Sequence, residues 1–163
     1  MPMTIAELTA TLPQTGSVDW IGVRPGRDVP IAVVVEVDAV PGKGLDGDRF
    51  QANSTEREIT LIQAEHIAAL ASLMHRDTID PPLLRRNIVV SGINLLALKG
   101  RSFAVGDAIL EYTGRAEPCS KMEAALGPGG YNAMRGHGGI TARILRSGKI
   151  RTGDTVSVEN SRG

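Results

Sequence analysis

The chain carries one cysteine, Cys119, in the segment Thr113-Gly114-Arg115-Ala116-Glu117-Pro118-Cys119-Ser120-Lys121. Arg115 and Lys121 flank it, and positive charge beside a thiol favours the thiolate, the form that attacks electrophiles and ligates soft metals. Pro118 fixes the backbone just before the sulfur. Lone cysteines are also among the most buried residue types and often serve as small hydrophobes, so the polar, proline-led setting is what points to chemistry. One cysteine excludes an internal disulfide framework and every multi-cysteine zinc or iron–sulfur pattern, and it fits a reducing cytoplasm.

Three further clusters could serve such a thiol. Arg85-Arg86-Asn87 precedes an apolar run, Ile88-Val89-Val90. If all three lie in a strand, alternation puts Arg85 and Asn87 on one face and Arg86 on the other. That pair could grip a phosphate or a pterin edge, although a solvated strand end would use the same residues. In Gly44-Leu45-Asp46-Gly47-Asp48-Arg49-Phe50, the glycines let backbone N–H groups approach a ligand beside Asp48, and Arg49 supplies a fork of donors. A plain surface turn with an Asp-Arg pair explains it about as well. Met134-Arg135-Gly136-His137-Gly138-Gly139 contains the histidine best placed to meet Cys119. A Cys–His hydrolase needs a third group to orient His137, and the sequence marks none. His66 and His75 fall on or beside an expected helix. Nothing matches GxxxxGK[ST], HExxH, GxSxG or a GxGxxG between strand and helix, so nucleotide hydrolysis, zincin proteolysis and dinucleotide chemistry are not indicated.

The elements that must position these groups are mainly strands. At 163 residues the chain suits one domain, with an arm or short helix at 1–17 and a folded unit at 18–160. Thr4 and Glu7 have capping-box spacing, with Ile5, Leu8 and Leu12 on one helical face before Pro13. Strand patterns follow at Val18–Val23, at Ile31–Val37 with Val33, Val35 and Val37 on one face, and at Glu58–Ile62. Ile67, Leu70, Ala71 and Met74 then recur at helical spacing. Short strands resume at Ile88–Val90, Phe103–Val105, Ala108–Tyr112, Ile140–Leu145 and Thr155–Val158. Nineteen Gly and nine Pro punctuate them, six of the glycines within 127–139, which reads as a long mobile or ligand-hugging loop. About eight short strands and one or two short helices describe a mainly β barrel or curled sheet.

Composition narrows the partners. Eighteen Lys and Arg balance eighteen Asp and Glu, and only five residues are aromatic, which argues against nucleic acid. No apolar run is long enough for a secretory signal or a membrane span, so a cytoplasmic protein without membrane contact is expected. Asn53-Ser54-Thr55 then reads as a polar loop. Fourteen of the eighteen basic residues are Arg, the residue suited to bidentate grip on phosphate or carboxylate, although a G+C-rich genome produces the same bias.

In this order the segments resemble the MOSC family, named after the C-terminal domain of the molybdenum-cofactor sulfurase. The matching pieces are GLDGDRF at 44–50, REITLI at 57–62, LRRNIVVSGINL at 84–95, FAVGDAILE at 103–111, RAEPCSKME at 115–123, and GHGGITARIL with KIRTGDTV at 136–145 and 149–156. The resemblance implies a barrel-like fold with Cys119 as its chemical centre. It implies either of two activities: ligation of molybdenum in a pterin cofactor, with reduction of N-hydroxylated compounds, or transport of sulfur as a persulfide. On the first, Cys119 is the metal ligand, and Asp48, Arg49, Arg85, Asn87 and Gly136 hold the cofactor, with Arg115 and His137 beside the sulfur. Arg49, Arg85 and Arg115 should then converge near Cys119. The larger relatives' electron-carrying and desulfurating domains are not expected here. A small-molecule substrate would therefore be served by a separate electron donor, or the thiol by a cysteine desulfurase, the partner on which pyridoxal phosphate belongs. A non-catalytic pterin-binding or regulatory module is a third reading.

Overall fold

The chain is described by a computed structural model over residues 2–49 and 55–159; Phe50, Asn53 and Ser54 lie outside the described residues. The strands are β1 (Gly16–Val23), β2 (Ala32–Val34), β3 (Glu36–Val40), β4 (Gly44–Leu45), β5 (Ile59–Gln63), β6 (Ile88–Ser91), β7 (Ser102–Val105), β8 (Ala108–Arg115), β9 (Ile140–Arg146), β10 (Gly148–Arg151) and β11 (Thr155–Val158). The helices are α1 (Ile5–Ala10), α2 (Ala64–Leu73), α3 (Ser120–Leu126) and α4 (Gly130–Met134), with 3-10 turns at Pro81–Leu84 and Leu95–Leu98. None is long and apolar enough to cross a membrane.

Seven strands, in the order β11-β7-β8-β9-β5-β6-β1, close into a barrel because β1 pairs back onto β11. The closing seam is short, with Gly16 opposite Val156 and Ser17 opposite Thr155. β2 extends the sheet beyond β1, and β10-β3-β4 form a separate three-stranded sheet. Neighbours pair antiparallel except β5 and β6, which run parallel and are joined through α2. A parallel pair needs such a crossover, and the strand-to-helix reading of 58–74 supplies it.

Two cores follow from which residues turn inward. Val18, Ile21, Ile59, Leu61, Ile88, Phe103 and Leu110 fill the barrel. Ile62, Leu70, Ala71, Leu84, Val89, Met122, Leu126 and Met134 pack outside it, under the helices. β5 is therefore buried on both faces, as its unbroken apolar run suggests. Each fully buried Leu, Ile or Phe contributes about 1.5–3 kcal/mol of transfer free energy.

Several expectations change. The 31–37 run does not form one strand: it bends at Val35, so β2 joins the barrel sheet and β3 the small one. Val33 and Val35 stay 60% and 76% exposed, while Val37 is 7% exposed. The capping box of α1 forms, with Thr4 Oγ1 accepting from Glu7 N at 3.1 Å and Glu7 Oε2 accepting from Thr4 N at 2.6 Å. No residue of this helix is buried. The glycine-rich segment is not a featureless loop. Glu123 accepts from Gly129 N at 3.1 Å and Tyr131 N at 2.9 Å, which organises the start of α4. Gly130 is required there, since a Cβ would sit 2.5 Å from Leu126 Cβ.

Candidate functional site

The parallel strands β5 and β6 both begin, and β1 ends, at one rim of the barrel, where an open cleft of about 880 Å³ lies. Its walls come from Gly22, the 24–31 loop between β1 and β2, Asp48 and Arg49 after β4, residues 57–60, Arg85–Asn87, and the segment Glu117–Met122. Cys119 enters it because β8 runs out at Arg115 and Pro118 is buried, turning the chain into α3. The thiol is exposed, and Cys119 occupies the N-cap position without using its side chain there; its carbonyl accepts from Met122 N at 2.9 Å. Buried Met122 and Leu126 anchor the short helix behind it.

Arg86 braces this loop. Only 4% exposed, it donates from Nε to Gly138 O at 2.7 Å, from Nη2 to Ala116 O at 3.0 Å and from Nη1 to Leu84 O at 3.2 Å. Ala116 N also donates to Gly139 O at 2.9 Å, and a Cβ on Gly138 would fall 2.1 Å from Ala116 O. Burial, then the charge of Arg57, pushes the guanidinium down to about 10; the thiol of Cys119 acts in the opposite direction. Among the described residues no carboxylate forms an ion pair with Arg86, so its charge is met by carbonyl dipoles alone.

Asn87 sits at the cleft floor with its amide already engaged. Its Oδ1 accepts from Thr60 N at 3.1 Å and Thr60 Oγ1 at 3.2 Å, and Nδ2 donates to Gly22 O at 3.2 Å. The backbone repeats the tie, with Gly22 N donating to Asn87 O at 2.7 Å and Asn87 N to Thr60 Oγ1 at 3.0 Å. Asn87 thus locks the ends of β1 and β5 to the start of β6. Beside it, Asp48 Oδ1 accepts from Arg24 N at 2.7 Å. Burial raises the Asp48 carboxyl above its ordinary range, against the lowering hydrogen bonds from Arg24 N and Asn87.

Of the residues singled out in the sequence, Cys119, Asp48, Arg49, Arg85 and Asn87 share this cleft. The others lie elsewhere. Arg115 ion-pairs with Glu117 at 3.5 Å and, with Gly136 and His66, borders a small crevice outside the cleft. His137 bonds through Nδ1 to Ala133 O at 2.9 Å and meets His66 edge-on, ring centres 5.3 Å apart. Of the three arginines expected to converge, Arg49 and Arg85 reach the cleft and Arg115 borders the crevice.

The strand parity drawn for Arg85-Arg86-Asn87 fails because β6 begins only at Ile88. Arg85 ends the 3-10 turn in a left-handed conformation, φ 60° and ψ 29°. Arg85, Arg86 and Asn87 consequently all border the cleft. Arg24, Arg27, Arg57 and Thr60 also line the cleft without standing among the candidate site residues of the sequence, where Lys121 enters only as a neighbour of Cys119. The available signal was the arginine bias itself, since six of the fourteen Arg line this one cleft. Seven cations face it in all, counting Lys121, and among the described residues none joins an ion pair. The described residues hold no cluster of three or more metal-ligating side chains.

Comparison with known proteins bears on the fold and the family. The chain superimposes on the YuaD protein from Bacillus subtilis with a TM-score of 0.77 at 21% identity, covering 93% of this chain and 100% of that one. YiiM from Geobacillus stearothermophilus gives 0.73 at 18% identity, over 89% and 75% of the two chains. YiiM from Escherichia coli gives 0.69 at 16%, over 90% and 71%. These likenesses establish the fold. No curated protein sequence matches the chain. The sequence pattern of the MOSC domain does match, across residues 44–157, and so takes in the barrel strands from β5 onward, the arginine-lined floor and Cys119. The chain belongs to the MOSC domain family.

Proposed function

We propose that this chain binds a molybdenum–pterin cofactor in the cleft, with the thiolate of Cys119 as the protein's ligand to the metal. The observation that carries the reading is an exposed lone thiol in a cleft lined by seven cations without ion-pair partners among the described residues. The donor set fits the group: a soft thiolate suits molybdenum, and guanidinium forks suit a phosphate. When bound, such a cofactor supplies oxygen-atom removal, in which an N-hydroxylated compound, two electrons and two protons give an amine and water, the electrons coming from a separate donor protein.

The chain's own residues have distinct tasks on this reading. Cys119 holds the metal through Sγ. Arg49 and Arg85 grip the cofactor's phosphate, each exposed at the rim and able to offer a planar fork. Asn87, with its amide spent on Thr60 and Gly22, shapes the floor and holds Asp48 in place. Arg86 fixes the loop that delivers the sulfur.

The deciding experiment purifies wild type and Cys119→Ser from a host able to make molybdopterin, then measures metal content and intact mass. Stoichiometric molybdenum in wild type, lost in the variant, is expected. A sulfur-sized mass addition at Cys119 without metal would overturn the reading and make the chain a persulfide carrier acting with a cysteine desulfurase.

A further inference from the structure

A pterin cofactor with one phosphate leaves much of this cleft's charge unused. Seven cations face four carboxylates there, Asp28, Asp48, Glu58 and Glu117. Two of those carboxylates are committed elsewhere. Glu58, 2% exposed, accepts from Gly42 N at 2.9 Å and Ile144 N at 2.7 Å, and Glu117 pairs with Arg115. The cations also act on one another: burial and then Arg85 lower Arg24 against the Asp48 carboxylate, and burial, Arg57 and Arg85 lower Arg86 against Cys119. Like charges held together without counter-charge cost folding free energy, and a bound anion relieves that cost.

The cations divide by position. Arg24 and Arg85 interact with each other and adjoin Asp48 and Arg49, the end assigned above to the cofactor's phosphate. Arg57 lies beside the end of β8 that leads into Cys119, since Thr113 Oγ1 donates to the neighbouring Glu56 O, and Lys121 follows Cys119 by two residues while lining the same cleft. Arg86 has its donors bound to three carbonyls. Arg57 and Lys121 are exposed, and no hydrogen bond or ion pair with a described residue engages either head group. A cleft of 880 Å³ is near the upper end of the roughly 300–1,000 Å³ usual for ligand pockets, room enough for a second molecule at the sulfur's end.

We propose that Arg57 and Lys121 form a second anion site beside Cys119, and that the compound processed there is a phosphate monoester. One guanidinium fork and one ammonium match a dianionic phosphoryl group in charge and in donors. The inference rests on the cleft being the reaction site, and it names the class of substrate that site accepts.

Metal-free protein tests it through Cys119 itself. The rate of alkylation by iodoacetamide, an uncharged reagent, is followed at fixed ionic strength with and without phenyl phosphate, and with benzyl alcohol as the uncharged counterpart. Phenyl phosphate should slow alkylation of wild type in a saturable way, and benzyl alcohol should not. In Arg57→Gln/Lys121→Gln the concentration needed for protection should rise by about tenfold or more, the effect of losing two charge-assisted contacts. Lys99→Gln/Arg135→Gln, which removes two cations outside the cleft, should protect like wild type. Both sites are exposed, so circular dichroism melts should coincide with wild type. Equal protection by benzyl alcohol, or undiminished protection in Arg57→Gln/Lys121→Gln, would overturn the proposal. Protection by phenyl phosphate in a protein that takes up no molybdenum would overturn the cofactor reading alone. Molybdenum uptake without protection would overturn this inference alone.

Discussion

Replacing Asn87 by alanine separates holding the cleft together from holding a ligand. The substitution deletes the side-chain hydrogen bonds from Thr60 N, from Thr60 Oγ1 and to Gly22 O, together with the one that Asp48 receives. Neutral hydrogen bonds are worth about 0.5–1.5 kcal/mol net, and a buried N–H left without a partner costs about 1–3 kcal/mol more. Thr60 is 6% exposed, so its amide meets that condition. Allowing for partial relaxation, the loss comes to about 3 kcal/mol, and at about 2–4 °C per kcal/mol for a chain of this size it lowers Tm by roughly 6–12 °C. The assay is a thermal melt of wild type and Asn87→Ala from a host unable to make molybdopterin, so that no cofactor contributes. Arg49→Ala is the comparison: its side chain is exposed and without an ion-pair partner among the described residues, so it should melt like wild type yet load less molybdenum. An Asn87→Ala protein that keeps the wild-type Tm while losing cofactor would refute this division of labour and make Asn87 a direct ligand-binding group.

Two further outcomes follow from the loops behind the cleft. Burial first, then His137, disfavours the protonated form of His66, with Glu65 opposing. A histidine lowered in the folded state adds stability above its ordinary value near 6.5 and loses it as pH falls below that. The urea midpoint should therefore drop more steeply from about pH 7.5 to about pH 5 in wild type than in His66→Asn, and parallel drops would count against the assignment. Gly138→Ala must push the cysteine loop off Arg86, because its Cβ would lie 2.1 Å from Ala116 O and 3.3 Å from Arg86 Nη2. A loss of about 2–4 kcal/mol is expected, read by thermal melt, and a near-normal Tm would show that the brace yields without cost.

Most of the barrel was legible because period-two runs bounded by Gly and Pro survive into the structure: β1, β5 to β9 and β11 all fall within a few residues of the apolar segments that announce them. Two-residue β4 and the Gly148–Arg151 strand lack enough alternation to register, and α3 and α4 are too short for a helical period to emerge. Cys119 could be read from its neighbours, but Arg86 could not, since its partners are main-chain carbonyls at 84, 116 and 138 and a carbonyl leaves no trace in residue type. The contacts of His137 could not be read from the sequence either. Its sequence distance from Cys119 is modest, yet α4 turns the ring back onto its own carbonyl at Ala133.

The barrel's closing seam has a bearing on where the molecule breathes. Gly16 and Ser17 face β11 and Val18 exchanges main-chain bonds with Gly153 and Asp154 just before it, while the same strand reaches the cleft at Gly22, about 20 Å from Gly16 at the rise of an extended chain. Amides at Ser17 and Val156 should exchange with solvent through local fraying, at a free energy below that of global unfolding, while Gly22 and Thr60 exchange only with the whole fold. Fluctuations that open the cylinder thus start at the far end of β1, and the geometry around the sulfur persists while they occur.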